Sequence, residues 1–395
     1  MKKIIESRII QLCCLLLTLV LAASCEDDEM NAPVITGVRN YAPSPDDTVL
    51  QSLQPGQWVV LTGQNLSGVV QVLFNGIPIS SVNNAMYSDT YAAVQVPEII
   101  PFPIIPAEKL NTIQYVTEGG STIFSFNIAA PAPTITAISN ENASAGDSVY
   151  IYGTNLFLLT KVVYAGVEIT EYASASTGTY VGFILPELDG SGTVTVENET
   201  GSFTTGYTVN DPTGILCNFD DINPFSWGTS RENNNADFPN NMGYYAVLKN
   251  TGLGAGSGDW WSWQRSINTN AVQWVPVDSL SVPIEEYALK FEINVPDEWS
   301  GTALYILKDY TWTYLARYEP WKVSSPHTTN GWRTVTIPFT NFRTQDGKGS
   351  SAETLTDVLG ASANGALNIY TINDTQTAAA PLNIAIDNIR VVKIR

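Results

Sequence analysis

Two stretches of this chain are copies of one another, and they decide the fold of its first half. Residues 56–66 read GQWVVLTGQNL and residues 146–156 read GDSVYIYGTNL, so that Gly, Val, Gly, Asn and Leu recur at matching positions. Apolar and polar residues alternate in both copies, as they do in strands with one face against a core. The glycine and asparagine that close each copy suit the positive φ angles of tight turns. The pattern therefore predicts a repeated unit of β-structure.

The repeat continues on both sides of these stretches. The same spacing aligns FNG at residues 74–76 with YAG at residues 164–166, and the openings APVIT at residues 32–36 and APTIT at residues 132–136 also match. The Pro-x-Ile-Thr opening, the repeated strand and turn, and the short strand that ends in Asn-Gly or Ala-Gly resemble the IPT/TIG immunoglobulin-like family. This resemblance implies two small antiparallel sandwiches in tandem.

The remainder of the chain is a third unit that is rich in aromatic residues. Nine of the ten tryptophans follow residue 226, and residues 212–395 contain strand-like runs with almost no helix signal apart from residues 351–360. The length of the segment 212–395 suits a jelly-roll-like sandwich. The opening string NFDD at residues 218–221 and the closing string IDNIRVV at residues 386–392 resemble the first and last strands of carbohydrate-binding modules.

The aromatic residues of this third unit indicate a ligand made of rings. Trp and Tyr combine a rigid apolar face with a polar edge, and such faces stack on the C–H faces of sugar rings. Loops and strand ends carry binding residues more often than strand interiors do. In KDYTWTY, residues 308–314, strand alternation predicts that Tyr310, Trp312 and Tyr314 share one face, long enough for several sugars. A core role for that face is the alternative.

A second aromatic cluster, GDWWSW, occupies residues 258–263. Because neighbouring strand residues point in opposite directions, either Trp260 or the pair Trp261 and Trp263 can face a ligand, and we favour the pair. Structural roles are expected for four further tryptophans: Trp58, Trp227, Trp274 and Trp332. The predicted glycan-binding residues are Trp312, Tyr314, Tyr310, Trp261, Trp263, Trp321, Trp299 and Arg317.

The N-terminus has the features of a bacterial lipoprotein signal. A short basic start precedes an apolar stretch at residues 12–23, which has the length of a signal peptide and is too short to span a bilayer. Small residues precede Cys25, which is therefore predicted to become the lipidated first residue of the mature chain. The acidic run at residues 26–29 resembles the surface-export signal of Bacteroidetes lipoproteins. We expect a protein anchored by lipid to the outer membrane and facing the cell exterior.

These features predict an all-β chain in which two Ig-like (IPT/TIG) sandwiches in tandem precede a jelly-roll-like carbohydrate-binding β-sandwich. The joints at residues 130–133 and 210–214 contain proline and are therefore stiffer than Gly/Ser linkers. The predicted segments are a lipoprotein signal peptide (1–24), a lipidated acidic tether (25–32), two Ig-like domains (33–130 and 131–211) and a C-terminal glycan-binding domain (212–395).

Cys25 with its acidic run, the two repeats and the aromatic C-terminal unit together resemble the glycan-binding surface lipoproteins of Bacteroidetes polysaccharide-utilisation loci. In these proteins tandem IPT/TIG domains precede a xyloglucan-binding-type domain. The resemblance implies a non-catalytic monomer that captures a neutral plant β-glucan, first of all xyloglucan or mixed-linkage β-glucan, for uptake by a SusC/SusD-like system. Mannan, xylan and α-glucan remain alternative ligands. A glycoside hydrolase acting on the same glycans and a protein-binding adhesin remain alternative functions.

The charge of the chain excludes other ligand classes. Its formal net charge is −19 at pH 7. Nucleic acids and anionic membrane surfaces attract basic patches, so neither is an expected partner. A neutral polysaccharide suits an acidic chain better.

Catalytic and metal chemistry have little support in the sequence. A glycoside hydrolase needs two carboxylates on either side of a cleft. Acidic residues that could supply them are Glu285, Glu286, Asp297, Glu298 and Glu319. The single histidine, His327, and the apolar surroundings of Cys217 argue against histidine- or thiol-based catalysis. No cofactor is expected, and a structural Ca²⁺ shared by Asp220 or Asp221 with Asp387 is the alternative.

Overall fold

The computed structural model describes residues 31–80, 86–224, 227–258 and 260–395. The predicted signal peptide, Cys25 and most of the predicted tether lie outside these residues. The described chain is nearly all β-structure, which confirms the predicted fold class. By its internal contacts the chain divides into two compact units, which are described separately below.

The first unit, Met1–Ala129, contains the first of the two repeats. Its described strands are β1 (Val34–Asn40), β2 (Ser52–Leu53), β3 (Trp58–Gln64), β4 (Val69–Phe74), β5 (Ile77–Pro78), β6 (Tyr91–Gln95), β7 (Thr112–Thr117), β8 (Gly120–Ser125) and β9 (Asn127–Ile128). They form a three-stranded sheet of order β1–β3–β6, a four-stranded sheet of order β5–β4–β7–β8 and the parallel pair β2–β9. Short 3-10 helices cover Phe102–Ile104 and Ala107–Lys109.

Alternation along the strands of this unit determines which side chains enter its core. Val59 and Leu61 of β3 are fully buried, as are Ile113 and Tyr115 of β7. The expectation that Trp58 lies in the core is wrong. Because Val59 and Leu61 point inward, Trp58 is turned outward, is 41% exposed, and contacts Tyr41 at a ring-centroid distance of 5.7 Å.

The repeated glycine has the same structural task in both copies. Gly63 and Gly153 lie against the carbonyl oxygens of the opening strands, where a Cβ atom would stand 1.9 Å from the oxygen of Val34 and 1.8 Å from that of Thr134. Any side chain at these positions would push the two strands apart. The asparagine two residues later has a positive φ in both copies, as the turn signal predicts.

The second unit, Ala130–Arg395, begins with the second repeat. Its first strands are β10 (Thr134–Ile138), β11 (Ser148–Thr154), β12 (Lys161–Tyr164), β13 (Val167–Glu168), β14 (Ala173–Ser174), β15 (Tyr180–Ile184), β16 (Val194–Asn198) and β17 (Gly201–Thr204). They form two antiparallel sheets, of order β10–β11–β15–β14 and β13–β12–β16–β17, that enclose an apolar core. We refer to this part as the second domain.

The remaining strands form a larger sandwich, the C-terminal domain. Its described strands are β18 (Ile215–Cys217), β19 (Ser230–Glu232), β20 (Tyr245–Asn250), β21 (Ser266–Asn268), β22 (Val272–Gln273), β23 (Tyr287–Asn294), β24 (Ala303–Lys308), β25 (Ala316–Tyr318), β26 (Arg333–Pro338), β27 (Asn364–Gly365), β28 (Leu367–Ile372) and β29 (Leu382–Lys393). Helical segments of this domain are α1 (Thr344–Gly347), which is a left-handed turn because Gln345 and Asp346 have positive φ angles, the right-handed helix α2 (Leu355–Leu359), and 3-10 turns at Val277–Ser281, Ile284–Glu286, Pro320–Lys322 and Phe339–Asn341. The exact borders between the three predicted domains stay predictions.

Two sheets of the C-terminal domain face one another across the largest apolar core of the described chain. One, which we call the junction sheet, has the order β19–β20–β29–β23–β26, with β18 paired to β29; the other, the outer sheet, has the order β21–β28–β24–β25. Phe291 and Ile293 of the junction sheet meet Leu304 and Ile306 of the outer sheet in this core. The helix α2 begins with a capping box formed by Thr354, as its short helix signal predicts.

The second domain packs on the far side of the junction sheet through buried charges. Lys290 donates to Glu141 at 2.6 Å, and Arg390 donates to Glu141 at 2.9 Å and to Glu292 at 2.8 Å. All four side chains are almost inaccessible to solvent. Burial lowers the pKa of Lys290 even with Glu141 beside it, and the Lys290 ammonium also stands 3.5 Å from the ring centroid of Tyr207. These contacts join the two domains into one compact unit.

Candidate functional site

The outer sheet carries aromatic side chains on the side that faces away from the core. Leu304 and Ile306 of β24 point into the core, so Tyr305 points outward, and on the neighbouring strand β28 the outward residue is Tyr370. Tyr305 and Tyr370 lie directly opposite one another in register. Both are nonetheless buried, because further side chains lie over them.

Those covering side chains are tryptophans. Trp260 stacks on Tyr370 with ring centroids 4.8 Å apart and an angle of 17° between the planes. Trp312 lies 6.0 Å from Tyr370 and 6.0 Å from Tyr305. We call this two-layered surface, formed by Trp260, Trp312, Tyr305 and Tyr370, the aromatic face. Trp312 is 40% exposed, so an apolar ring surface remains open to solvent.

Three more aromatic side chains are exposed in the same two loops. Trp261 lies edge-on to Trp260 at 5.7 Å, and Trp261, Trp263 and Tyr310 are all solvent-exposed. Residues 260–264, which contain these tryptophans, form a turn. The expectation that these residues form a strand is therefore wrong. Trp261 and Trp263, the pair favoured as facing a ligand, are exposed, and their contact with a glycan stays a prediction.

The chain between residues 308 and 314 also turns, and this changes which of its aromatics share a face. Asp309 and Tyr310 both adopt positive φ angles immediately after β24. Asp309 accepts a hydrogen bond from the backbone of Ala366 (2.7 Å), and the backbone of Tyr310 donates to Asn368 (2.8 Å). As a result Tyr314 packs against the core, and the predicted single face of Tyr310, Trp312 and Tyr314 is wrong.

Arg317 stands at one end of the aromatic face and is fully engaged there. Its guanidinium donates to Glu319 at 2.7 Å, to Asp374 at 2.9 Å and to the hydroxyl of Tyr305. These hydrogen bonds from Arg317 hold the pKa of Asp374 well below its usual range. Burial raises the pKa of Glu319, but hydrogen bonds from Arg317 and Lys322 outweigh it, so the net shift is downward. The direct structural task of Arg317 is therefore to hold Tyr305 in place.

The side chains of Trp299 and Trp321 pack inside the C-terminal domain and not on its surface. The predicted rim contact of Trp299 is wrong, since the residue is 1% exposed. Its indole donates to the carbonyl oxygen of Thr302 at 2.7 Å, and the indole of Trp321 donates to the same oxygen at 3.0 Å. Trp321 is half-buried and packs against the core. A shared buried acceptor explains why two tryptophans are found here.

Several residues of the site were missed by sequence reasoning. Tyr305 and Tyr370 lie outward, on the strand positions next to the inward residues Leu304, Ile306 and Ile369, and strand alternation could have indicated this. Trp227, expected to be structural, is 50% exposed and pairs through its backbone with Asn268 of the outer sheet. Trp274 is buried and its indole donates to the carbonyl of Gly365, as a structural role predicts.

The surroundings of Glu319, Cys217 and His327 are structural. Glu319 forms salt bridges with Arg317 and Lys322. Burial raises the pKa of Cys217 to about 12, and its thiol donates to the carbonyl of Asn223. Burial also lowers the pKa of His327. Cys217 therefore has the environment of an inert core residue.

The candidate calcium ligands do not form a cation cage by themselves. Asp387 is buried, burial raises its pKa to about 9, and its carboxylate accepts the backbone N–H of Asn388. Asp220 accepts from the backbone of Tyr244, and Asp221 accepts from Asn218. The part of the chain that the structure describes holds no group of three or more His, Cys, Asp or Glu side chains arranged for a metal ion.

The fold and the aromatic face define a multidomain β-sandwich protein whose last domain exposes tryptophan rings. Residues 209–393 match the model of the family described as "Surface glycan-binding protein B xyloglucan binding domain". The C-terminal domain is therefore similar to this family of domains. Among the described residues, no helix has the length and apolarity needed to cross a membrane.

Individual relatives agree with this assignment. The chain is 29% identical over 168 residues to an IPT/TIG domain-containing protein of Bacteroides ovatus; the match covers 42% of this chain and about a third (34%) of that relative. The fold is similar to that of the surface glycan-binding protein PbSGBP-B from Prevotella bryantii, with a TM-score of 0.67, 22% identity and coverage of 92% of this chain and 99% of that one.

A third similar structure is SGBP-B from a complex xyloglucan utilization locus in Bacteroides uniformis. Its TM-score is 0.54 and its identity 16%, and the alignment covers 92% of this chain and all of that one. At these identities the structures show a shared fold. Together with the domain family and the Bacteroides ovatus relative, they confirm the resemblance to IPT/TIG-containing surface glycan-binding proteins stated from the sequence.

Proposed function

We propose that this protein is a non-catalytic glycan-binding protein of the cell surface that captures a neutral plant β-glucan on its aromatic face. Xyloglucan and mixed-linkage β-glucan are the first candidates. The observation that carries the proposal is a pair of tryptophans, Trp260 and Trp312, packed over Tyr305 and Tyr370 in a domain that matches the model of a xyloglucan-binding family.

The physical basis is the fit between flat apolar rings and the faces of pyranose sugars. Trp312 and Trp260 are held by the tyrosines beneath them, so little conformational freedom is lost when a sugar stacks on them. Trp261, Trp263 and Tyr310 extend the surface beyond the two stacked tryptophans. A long glucan backbone can contact several rings of such an extended surface at once, which supports a polysaccharide over a monosaccharide as ligand.

The wider setting of the protein forms part of the same proposal. Cys25 is lipidated and anchors the chain to the outer membrane, with the domains facing the cell exterior. The protein acts as a monomer and passes its glycan to a SusC/SusD-like transporter complex. The signal-like sequence before Cys25 and the acidic residues after it support this setting.

The proposal is tested by affinity gel electrophoresis of residues 26–395 against xyloglucan, mixed-linkage glucan, mannan, xylan and an α-glucan. The compact unit Ala130–Arg395 is run in parallel. Retardation of both chains by one β-glucan is expected. Release of reducing sugar from that glucan would contradict the non-catalytic role, and no retardation by any of the polysaccharides would contradict glycan binding itself.

We further propose that the protein needs no cofactor and no structural Ca²⁺. The carboxylates of Asp220 and Asp221 already accept hydrogen bonds from the chain, which supports this. The melting temperature of purified protein should be the same in excess EDTA and in its absence. A lower melting temperature of the wild type in EDTA, reversed by added Ca²⁺, would contradict the proposal. If Asp387→Asn does not show this change, the cation lies at Asp387.

A further inference from the structure

The second domain has an exposed aromatic surface of its own. In the sheet β10–β11–β15–β14, Val149, Ile151 and Val181 point into the core. The opposite side of the same strands carries Tyr150, Tyr152 and Tyr180, which we call the tyrosine face.

The three rings of the tyrosine face contact one another. Tyr150 and Tyr152 are stacked at 6.4 Å with 24° between their planes, and Tyr180 meets them edge-on at 5.7 Å and 6.3 Å. Tyr180 is exposed, and the other two rings are half-buried by this mutual packing. The result is a continuous ring surface on the solvent side of a small sheet.

A glycine makes room for this arrangement. Gly182 pairs with Tyr150 across the two strands, and a Cβ atom on Gly182 would stand 2.8 Å from the Tyr150 ring. The ring therefore lies over the glycine backbone. A side chain at this position would lift the ring away from the sheet and break the continuity of the surface.

The immunoglobulin-like fold does not itself require these tyrosines. In the first repeat, the residues at the positions of Tyr150 and Tyr152 are Val60 and Thr62, which pair with Ala93 and Tyr91. Only the position of Tyr180 keeps a tyrosine, Tyr91, in the first repeat. The same strands thus form with and without the ring cluster, so the cluster is a specific property of the second domain.

The tyrosine face is also electrically neutral. The strands β10, β11, β14 and β15 contain no charged residue, although the whole chain has a formal net charge of −19. A neutral aromatic surface with phenol hydroxyls suits a neutral, hydroxylated ring better than a charged ligand. It offers the same chemistry as the aromatic face of the C-terminal domain.

A polar pocket continues the tyrosine face toward the C-terminal domain. Tyr150 and Ser148 line a cavity of about 190 Å³ together with Asn140, Asp147, Asn330 and Arg333. The guanidinium of Arg333 stands 5.7 Å from the Tyr150 ring centroid. Amide, carboxylate and guanidinium groups beside a ring surface are the partners that sugar hydroxyls need for orientation.

We propose that the tyrosine face and this pocket form a second glycan-contacting site, which binds the same class of neutral polysaccharide as the aromatic face. The ligand class rests on the proposed function. The second domain packs on the junction sheet and the aromatic face lies on the outer sheet, so the two sites hold different stretches of a long glycan or two separate chains. Binding at two sites raises the affinity for polymer far more than for short fragments.

The test replaces the two tyrosines by the residues that the first repeat uses at the same positions. Residues 26–395 carrying Tyr150→Val and Tyr152→Thr are compared with wild type and with Trp312→Ala by affinity gel electrophoresis in the polymeric glucan that retards wild type. Titration calorimetry with a heptasaccharide of that glucan is run in parallel. The variant should fold, because the first repeat builds the same strands with these residues.

The double variant is expected to bind the polymer about tenfold more weakly than wild type and to bind fewer heptasaccharides per chain. Unchanged polymer affinity together with unchanged stoichiometry would overturn the second site, leaving the tyrosines as cross-strand packing or a protein-docking surface. If Trp312→Ala still binds the polymer more weakly than wild type in that case, the proposed function stands. Failure of wild type to bind any glucan would instead overturn the proposed function, and the ligand class of this site with it.

Discussion

At the scale of single residues, the aromatic face depends on the groups that hold its lower layer. Tyr305 is fixed from the side by Arg317, and Arg317 is fixed in turn by Asp374 and Glu319. Trp312 rests on Tyr305, so the orientation of the exposed ring depends on this network of charges. The affinity for a ligand that contacts only the tryptophans thus depends also on Arg317, Asp374 and Glu319, which the ligand does not touch.

The charged network makes a pH-dependent contribution to stability. Hydrogen bonds from Arg317 lower the pKa of Asp374 in the folded chain, so its stabilising effect is present above the unfolded pKa of about 3.9 and is lost as the pH falls below it. We expect Asp374→Asn to melt at a lower temperature than wild type between pH 5 and 8, with a gap that narrows toward pH 3. Melting curves at several pH values measure this gap, and a gap of constant size down to pH 3 would contradict the role of the ionised carboxylate.

The repeated glycine offers a second prediction for a single residue. A Cβ atom at position 153 would stand 1.8 Å from the carbonyl oxygen of Thr134. We expect Gly153→Ala to destabilise the second domain by about 3 kcal/mol, the upper end of the range for overpacking. Gly190→Ala is the matched control, because a Cβ there meets no atom within 4 Å. Urea unfolding measures both variants, and equal stabilities would show that the strands separate without cost.

Residue-level prediction from the sequence succeeded where strand alternation alone decides a side chain's direction. Turn chemistry correctly predicted positive φ angles for Asn65 and Asn155. It was wrong for Gly63 and Gly153, where glycine is needed because two strands approach closely. Residue-level prediction failed for Trp299, because burial there depends on the carbonyl of Thr302, a hydrogen-bond acceptor that the sequence pattern does not reveal. It failed for Trp58 because an alternating strand has two faces, and the sequence did not indicate which one meets the core.

At the scale of elements, the joint between the second and C-terminal domains is the least expected feature. Two acidic side chains, Glu141 and Glu292, and two basic ones, Lys290 and Arg390, are buried together between a loop of the second domain and the junction sheet. Asn142 adds a hydrogen bond to Glu292 at 2.9 Å. Such a cluster is stable only when every charge has a partner.

Removing one member of the cluster should therefore be costly. In Glu141→Ala, Lys290 and Arg390 remain buried with Glu292 as the one carboxylate of the cluster, and we expect a loss of about 3–5 kcal/mol in the free energy of unfolding. Glu199→Ala, an exposed acidic residue of the same domain, is the control and should change stability by less than about 0.5 kcal/mol. If urea unfolding gives similar values for the two variants, the cluster is not buried in solution.

Element prediction was accurate for strands and weak for the loops between them. The strand-like runs predicted in the third unit correspond to strands such as β23, and the helix signal at residues 351–360 contains α2. The loop after β24 escaped prediction because Asp309 and Tyr310 take positive φ angles, which are uncommon for residues other than glycine and especially for tyrosine. Their partners, Ala366 and Asn368, lie far along the chain, so the turn is fixed by tertiary contacts.

At the scale of the whole molecule, the sequence predicted three β-rich segments in order, two of them repeats. It did not predict that the second repeat and the C-terminal domain form one compact unit, because the buried charges that join them are scattered from Glu141 to Arg390. The proline-bearing joint at residues 210–214 indicated stiffness. The packing of the second domain on the C-terminal domain arises from charged residues that one would expect, from the sequence, to lie on the surface.

The central claim for the whole molecule is that the aromatic face of the C-terminal domain binds a neutral β-glucan. Isothermal titration of residues 26–395 with that polysaccharide, for wild type, Trp312→Ala and Trp58→Ala, tests it most directly. Trp58 is the matched control, since it is an equally exposed tryptophan (41% against 40%) outside the C-terminal domain. We predict that Trp312→Ala binds at least tenfold more weakly, a loss of about 1.4 kcal/mol, while Trp58→Ala binds like wild type. Wild-type affinity in a folded Trp312→Ala protein, or an equal loss in both variants, would contradict the claim.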